Sequence, residues 1–380
     1  MDNSTYSSES RVHGDIKSRL DSELESMISS GASDLHLGAD RPTMIRVDGS
    51  LRSMGNFAWT AEEVIGVLKE ITTPVKWKKF EEDLELDFSY TTPSGVRFRT
   101  NIYYQQNLLG GAFRFVSGEI KSLADLGLES ELGSFANLSR GLILVTGPTG
   151  SGKSTTLAAI LNEINQTRAD HIMTIEDPIE FIHKGKKGLV NQREVGTDTA
   201  SFGSALRHIL RQDPDVILIG EMRDFETISA ALTAAETGHL VLGTLHTRSA
   251  SQTVDRIIDV FPPHQQAQIK TQLASALQAI VCQTLIPRIE GVGRVVATEI
   301  LTMTTGISNM IREGKTFQIP SAMQAGREFG MHTMDQSLAG LVRARLISLQ
   351  AAEDLAHDRG SLDQLIQSGQ GFTPEVREQM

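Results

Sequence analysis

The sequence predicts an α/β protein of two domains, a small N-terminal α+β domain and a nucleotide-binding domain built on a parallel sheet. Three observations predict it. Residues 142–154 read Leu-Ile-Leu-Val-Thr-Gly-Pro-Thr-Gly-Ser-Gly-Lys-Ser, an apolar strand running into Gly147-x-x-x-x-Gly152-Lys153-Ser154. Further apolar segments at 172–175, 216–219 and 241–245 alternate with helical patterns, and such alternation implies a parallel sheet covered by helices on both faces. Ahead of residue 116 there is no phosphate loop, and period-two strand patterns mix with amphipathic helices.

In chain order, residues 1–15 are polar and Ser-rich without a hydrophobic signal core, and are expected to be a disordered tail. Leu20, Leu24, Met27 and Ile28 fall on one face of a helix over 16–30, which Gly31 ends. Residues 32–37 and 44–49 read as two strands with a turn at Asp48-Gly49. Residues 59–71 suit a helix, and 84–90 and 96–101 alternate as strands. The small domain therefore covers 16–115, and 116–128 is read as a linker. The second domain, 129–350, adds helices at 155–164, 201–211 and 226–237. Beyond Phe261-Pro262-Pro263 the expectation is mostly helical. Ile269, Leu273, Leu277, Ile280 and Thr284 define one long face, and Met334, Leu338, Leu341, Val342 and Arg345 another. Residues 351–380 are read as a helical extension and tail, fraying from residue 361 onward.

The phosphate loop carries the chemistry. Glycines let successive backbone N–H groups turn inward around phosphate oxygens, and the following helix N-terminus adds positive partial charge at the same place. Gly147, Pro148, Thr149, Gly150, Ser151, Gly152, Lys153, Ser154 and Thr155 are the predicted nucleotide-binding residues. Lys153 would reach the β and γ phosphates, and the Ser154 hydroxyl would ligate Mg2+.

Ligands in open α/β sheets bind at the carboxyl ends of the strands. After the second strand comes Glu176-Asp177-Pro178-Ile179-Glu180, after the third Gly220-Glu221-Met222-Arg223-Asp224, and after the fourth His246-Thr247. Taken singly, each acidic cluster reads as a turn or a solvated face. Together at one sheet edge they read as a hydrolytic set. Glu221 would hold the magnesium water shell, and Glu180 or Glu176 would act as base on the attacking water. His246, with His239 upstream of the same strand, would contact the γ-phosphate. Arg97, Arg99 and Arg114 cluster on strands of the small domain, either as a solvated face or as arginines stabilising phosphoryl charge.

Thr174-Ile-Glu-Asp-Pro-Ile-Glu-Phe181, Leu189-Val-Asn-Gln-Arg-Glu-Val195, Asp213-Pro-Asp-Val-Ile-Leu-Ile-Gly-Glu-Met-Arg-Asp224, Ala235-Glu-Thr-Gly-His-Leu240 and Gly243-Thr-Leu-His-Thr247 accompany the loop. With these motifs the chain closely resembles the secretion-type ATPases, and among them the PilT family of type IV pilus retraction motors (twitching motility), from about residue 20 to about 347. The resemblance implies a PAS-like N-terminal domain, a RecA-like ATPase domain with C-terminal helices, and a homohexameric ring. It implies ATP and Mg2+ as ligands, Lys153 and Ser154 as Walker A, and residues 176–180 as the Asp box. It further implies Glu221 as the Walker B acid, His239 to His246 as the His box, and nucleotide contacts for Arg97, Arg99 and Arg114. It favours Glu180 over Glu176 as base. Its partners would be an inner-membrane pilus platform protein and a second retraction ATPase, with membrane association only through partners.

Two departures stand out. Retraction motors typically carry Ala-Ile-Arg-Asn-Leu-Ile-Arg-Glu, where this chain has Gly306-Ile-Ser-Asn-Met-Ile-Arg-Glu313, with Ser308 replacing an arginine. Asn107 also stands where relatives often have an arginine. The altered stretch and longer termini motivate an alternative reading as a PilU-like accessory motor. A pilus assembly or type II secretion ATPase is a further alternative, disfavoured because the chain lacks a four-cysteine module.

Bulk properties bound the rest. The 380 residues carry a net charge of −11, which opposes non-specific nucleic-acid binding and disfavours a DNA translocase. One cysteine, Cys282, allows neither an intramolecular disulfide nor a Cys-based zinc site. No apolar run reaches membrane-span length. The expected location is cytoplasmic, at the inner face of the membrane through the pilus machine.

Overall fold

A computed structural model describes residues 5–47, 49–116, 118–128, 132–290 and 293–369, with side chains from Ile16 onward. The chain divides into two units, Met1–Gly118 and Glu119–Met380.

The first unit is a six-stranded sheet in the order β3-β2-β1-β6-β5-β4. Its strands are β1 (Asp34–Gly38), β2 (Arg41–Val47), β3 (Ser50–Trp59), β4 (Glu85–Thr91), β5 (Arg97–Gln105) and β6 (Leu108–Val116). Every pairing is antiparallel. The core combines Leu20, Leu24 and Met27 from helix Thr5–Ser29, Val64, Val67 and Leu68 from helix Ala61–Glu70, Phe80, and the inward residues Phe98, Ile102 and Phe113. Helix Ala61–Glu70 starts on a capping box, in which Thr60 and Glu63 each bond the other's backbone N–H, so two otherwise orphaned donors are satisfied.

The expectation of a disordered stretch through residue 15 is corrected. The first helix already begins at Thr5, because extending a helix from the buried 16–29 segment adds one hydrogen bond per residue without new nucleation. Residues 1–4 lie outside the described residues. The two-strand reading is incomplete, since a third strand, β3, pairs with β2; residue 48 of the expected turn lies outside the described residues. Most of β3 is exposed, so no buried alternation marks it. Asn107 sits with Gln106 at positive φ in the two-residue turn joining β5 to β6, a hairpin geometry that favours asparagine.

The second unit is a seven-stranded sheet in the order β13-β12-β7-β11-β10-β8-β9. Its strands are β7 (Gly141–Thr146), β8 (His171–Glu176), β9 (Leu189–Glu194), β10 (Val216–Ile219), β11 (Leu240–Leu245), β12 (Leu277–Pro287) and β13 (Arg294–Thr302). All pairs are parallel except β12 with β13. Alternate residues of β7 feed opposite layers, Leu142 and Leu144 into one core cluster and Ile143 and Val145 into another. That is why the strand reads as an unbroken apolar run.

The long helical face expected at 269–284 is corrected. Helix Gln266–Ala276 stops, and residues 277–287 form β12 between β7 and β13. Buried on both faces, β12 has no period-two signature, and a short apolar run does not by itself separate strand from helix. The expected fraying from residue 361 is also corrected. Helix Arg359–Ser368 is capped by Asp358, and its Leu362 is buried with Leu338, Leu341, Ile347 and Ala352. Residues 370–380 lie outside the described residues. Ser308 is buried, and its hydroxyl donates to the Ala274 carbonyl at 2.9 Å. That short side chain seats helix Thr305–Glu313 against the end of the preceding helix.

Two buried histidines make this unit acid-sensitive. Burial pushes His332 and His183 down to about 4. The unfolded chain takes up these protons below about 6.5 while the folded protein does not until about 4, so stability is full at neutral pH and falls across that window. For His332 the expected loss on going from pH 7 to pH 4 is about 3 kcal/mol. Urea unfolding at the two pH values checks it, and His332→Asn should flatten the pH dependence. An equally steep dependence in the variant would refute this cause.

Candidate functional site

The phosphate loop leaves β7 at Thr146 and enters helix Lys153–Thr167. Gly147, Gly150 and Gly152 hold φ of 140°, 77° and 88°, a region that strains any side chain. Gly147 has a second constraint, because a Cβ there would collide with the Gln283 carbonyl on β12. Gln283 also donates from Nε2 to the Ser151 carbonyl at 2.7 Å, so the neighbouring strand braces the loop. Sequence reasoning missed Gln283 because its segment was read as helix. Gln283→Ala is expected to weaken ADP binding about 5- to 10-fold, the worth of one hydrogen bond, without unfolding the protein. Fluorescence titration with ADP checks it, and unchanged affinity would count against the bracing.

The Lys153 ammonium is buried and donates to the carbonyls of Gly147 and Pro148 at 2.9 and 3.0 Å. Burial pulls its pKa down, while the negative charges of Glu221 and Glu180 work the other way. The loop lysine therefore lies in the field of acids from two other strand ends.

Sheet order makes this possible. In sequence the four strands run β7, β8, β10, β11, but in space β11 lies beside β7, then β10, then β8. Leu245 pairs with Thr146, which sets His246 beside Gly147. Glu221 follows β10, and its Oε1 lies 3.0 Å from His246 Nε2 and accepts from Arg223 Nε. Thr244 on β11 donates to the Gly220 carbonyl at 2.6 Å and ties the two strand ends together.

Glu176 and Glu180 part company. Glu176 is buried, and burial raises its pKa. Its Oε1 accepts from Thr174 Oγ1 at 2.6 Å and Gln192 Nε2 at 3.1 Å, and its carboxylate also accepts from the Glu180 backbone N–H. Glu180, past the cis Asp177–Pro178 peptide, is exposed. Behind the loop a cavity of about 30 Å³ is lined by Ser154, Glu176, Phe181, His183 and Thr244, among others.

His239 is not brought to this place within the chain. It stands at the amino end of β11, roughly 20 Å from His246 by strand rise, with Nδ1 3.0 Å from the Ala234 carbonyl. Arg97, Arg99 and Arg114 lie in the first unit. Arg99 and Arg114 are directly paired across β5 and β6, and Arg97 shares the Arg99 face by strand alternation. Arg114 is ion-paired with Asp34 at 2.8 Å.

A mainly parallel sheet of RecA-like order, with a glycine cradle after β7 and acids after β10 and β8 at the same sheet edge, defines an ATP-hydrolysing enzyme of the P-loop class. Residues 9–349 match the family model described as Type II/IV secretion system protein, and the chain belongs to that family. It is 51% identical over 326 residues to the type IV pilus retraction ATPase PilT of Pseudomonas aeruginosa, covering 86% of this chain and 94% of that one. It is 40% identical over 338 residues to the type IV pilus ATPase PilU of the same organism, covering 88% and 87%. The crystal structure of the pilus retraction motor PilT with bound ADP superposes with a TM-score of 0.85 at 44% identity, covering 90% of this chain and 98% of that one.

Among the described residues, no helix is long and apolar enough to cross a membrane, and no group of three His, Cys, Asp or Glu side chains is placed to hold a metal ion by itself.

Proposed function

We propose that this protein is a motor that hydrolyses ATP to drive type IV pilus retraction and pilin disassembly, and with them twitching motility. The observation that carries the site assignment is the glycine loop closing on the buried Lys153, with Glu221 and His246 3.0 Å apart at the neighbouring strand ends. The greater identity to PilT, 51%, than to PilU, 40%, supports the retraction reading.

In this reading the loop 147–155 wraps the phosphates. Lys153 leaves the carbonyls of Gly147 and Pro148 for the β and γ oxygens. Glu180, exposed and with its backbone held by Glu176, orients the attacking water and takes its proton. His246, joined to Glu221, lies beside the loop where it meets the γ-phosphate. His239 is kept as part of the His box on the resemblance alone. Arg97, Arg99 and Arg114 form a cationic row suited to a polyphosphate.

Mg2+ fits the donors present, since a hydroxyl at Ser154 and a carboxylate at Glu221 are hard oxygens of the kind it takes directly or through water. Bound there, it would draw charge from the β and γ oxygens. The working assembly is a homohexamer in the cytoplasm, held at the inner membrane by the pilus platform protein.

Deleting the gene while assaying the purified protein tests the reading. Loss of twitching together with ATP turnover in vitro is expected, and normal twitching would overturn it. A second reading, an accessory PilU-like motor, is favoured by Ser308 in place of the family's arginine. It predicts that twitching disappears when a second retraction ATPase is removed and this chain remains.

A further inference from the structure

Glu180 lies on the 177–188 segment between β8 and β9, which contains no helix or strand. A general base must stay within hydrogen-bond reach of its water, and irregular backbone does not provide that alone. The structure shows what does. Ile179 N–H donates to Glu194 Oε2 at 3.2 Å, and Glu180 N–H donates to the Glu176 carboxylate. Both carboxylates are buried.

One side chain ties these anchors together. Gln192, at the centre of edge strand β9, donates from Nε2 to the Phe181 carbonyl at 2.8 Å and to Glu176 Oε1 at 3.1 Å. Its Oε1 accepts from His183 N–H at 2.8 Å. Register explains the reach. Gln192 pairs with Thr174 and Glu194 with Glu176, so all four share one face of the sheet by alternation. A primary amide offers two donors and an acceptor, and all three functions are used here, two on Phe181 and His183 just after Glu180 and one on Glu176 before it.

We propose that Gln192 is a positioning residue for ATP hydrolysis, fixing the backbone on the C-terminal side of Glu180 and the carboxylate that holds Glu180 N–H. This rests on the reading of Glu180 as base. The hydrogen bonds of Gln192 go to Glu176, Phe181 and His183 and not to the phosphate loop, so its loss should act on kcat and spare nucleotide affinity.

Three variants of the full-length protein test it. Gln192→Leu keeps the volume and removes all three hydrogen bonds. A displaced base is expected to lower kcat on the order of 10²-fold, with KM for ATP and Kd for ADP changed by less than about 3-fold. Gln192→Asn, one methylene shorter and still an amide, is expected to lower kcat about 10-fold with the same split, and it carries the test if the leucine variant does not fold. The inference is overturned if folded variants keep kcat within about 3-fold, or if Kd for ADP rises as far as kcat falls. Glu180→Gln is measured beside them. If that variant turns over normally, the base assignment fails and this inference with it. If it is inactive while both Gln192 variants turn over normally, only the inference fails.

Discussion

Lys153→Ala is expected to lower ATP turnover by about 10³-fold, the scale of removing a preorganised charge from a developing anion. The lysine is buried at the mouth of the loop and bonds only the carbonyls of Gly147 and Pro148. Its ammonium therefore has local partners that a phosphate can replace without unfolding anything. The acids Glu221 and Glu180 help keep it charged against the pull of burial. Removing it takes away the one side-chain cation that reaches the phosphates from within the loop, while Gly147, Gly150 and Gly152 still shape the cradle. The variant should therefore fold with a near-normal melting temperature. Steady-state phosphate release is the measurement, and a variant retaining more than about a tenth of normal turnover would remove the basis of the site assignment.

Glu180→Gln is expected to lower kcat by about 10²- to 10⁴-fold, the usual range for losing a positioned base, while ADP still binds. The substitution keeps the shape and the backbone anchors and removes the proton acceptor. Glu176 is the contrast. It was an equal candidate from spacing, but it is buried, which raises its pKa, and it spends its oxygens on Thr174, Gln192 and the Glu180 backbone. A carboxyl so placed supports the segment bearing Glu180. Nucleotide binding and single-turnover hydrolysis measured together distinguish a lost base from a lost site. Wild-type single-turnover rates in Glu180→Gln would reject the role.

Much of the site was legible before any coordinates. The loop is a local object, and glycine spacing, an apolar strand before it and a helical pattern after it suffice to recognise it. Glu221 and His246 were legible for a different reason. Each follows a fully buried strand, and parallel strands carry their chemistry at one edge. His239 shows the limit of that logic. It lies seven residues before His246 in sequence, yet an extended strand carries it to the opposite edge. Gln283 and Gln192 show another limit, since their importance lies in hydrogen bonds to segments 132 and roughly ten residues away that no local pattern announces.

By itself, the sequence determined that the protein has an α/β architecture with a phosphate loop, where the loop begins and ends, and which acids are available to it. These are consequences of short-range backbone chemistry and of burial periodicity. Only the tertiary structure decided that β11 and β10 stand between β7 and β8, that residues 277–287 are a strand bracing the loop, and that Glu176 supports while Glu180 is exposed. The physical reason is that strand order, pairing and burial of a carboxyl depend on contacts between residues far apart in the chain, and periodicity within one segment is blind to what lies against it.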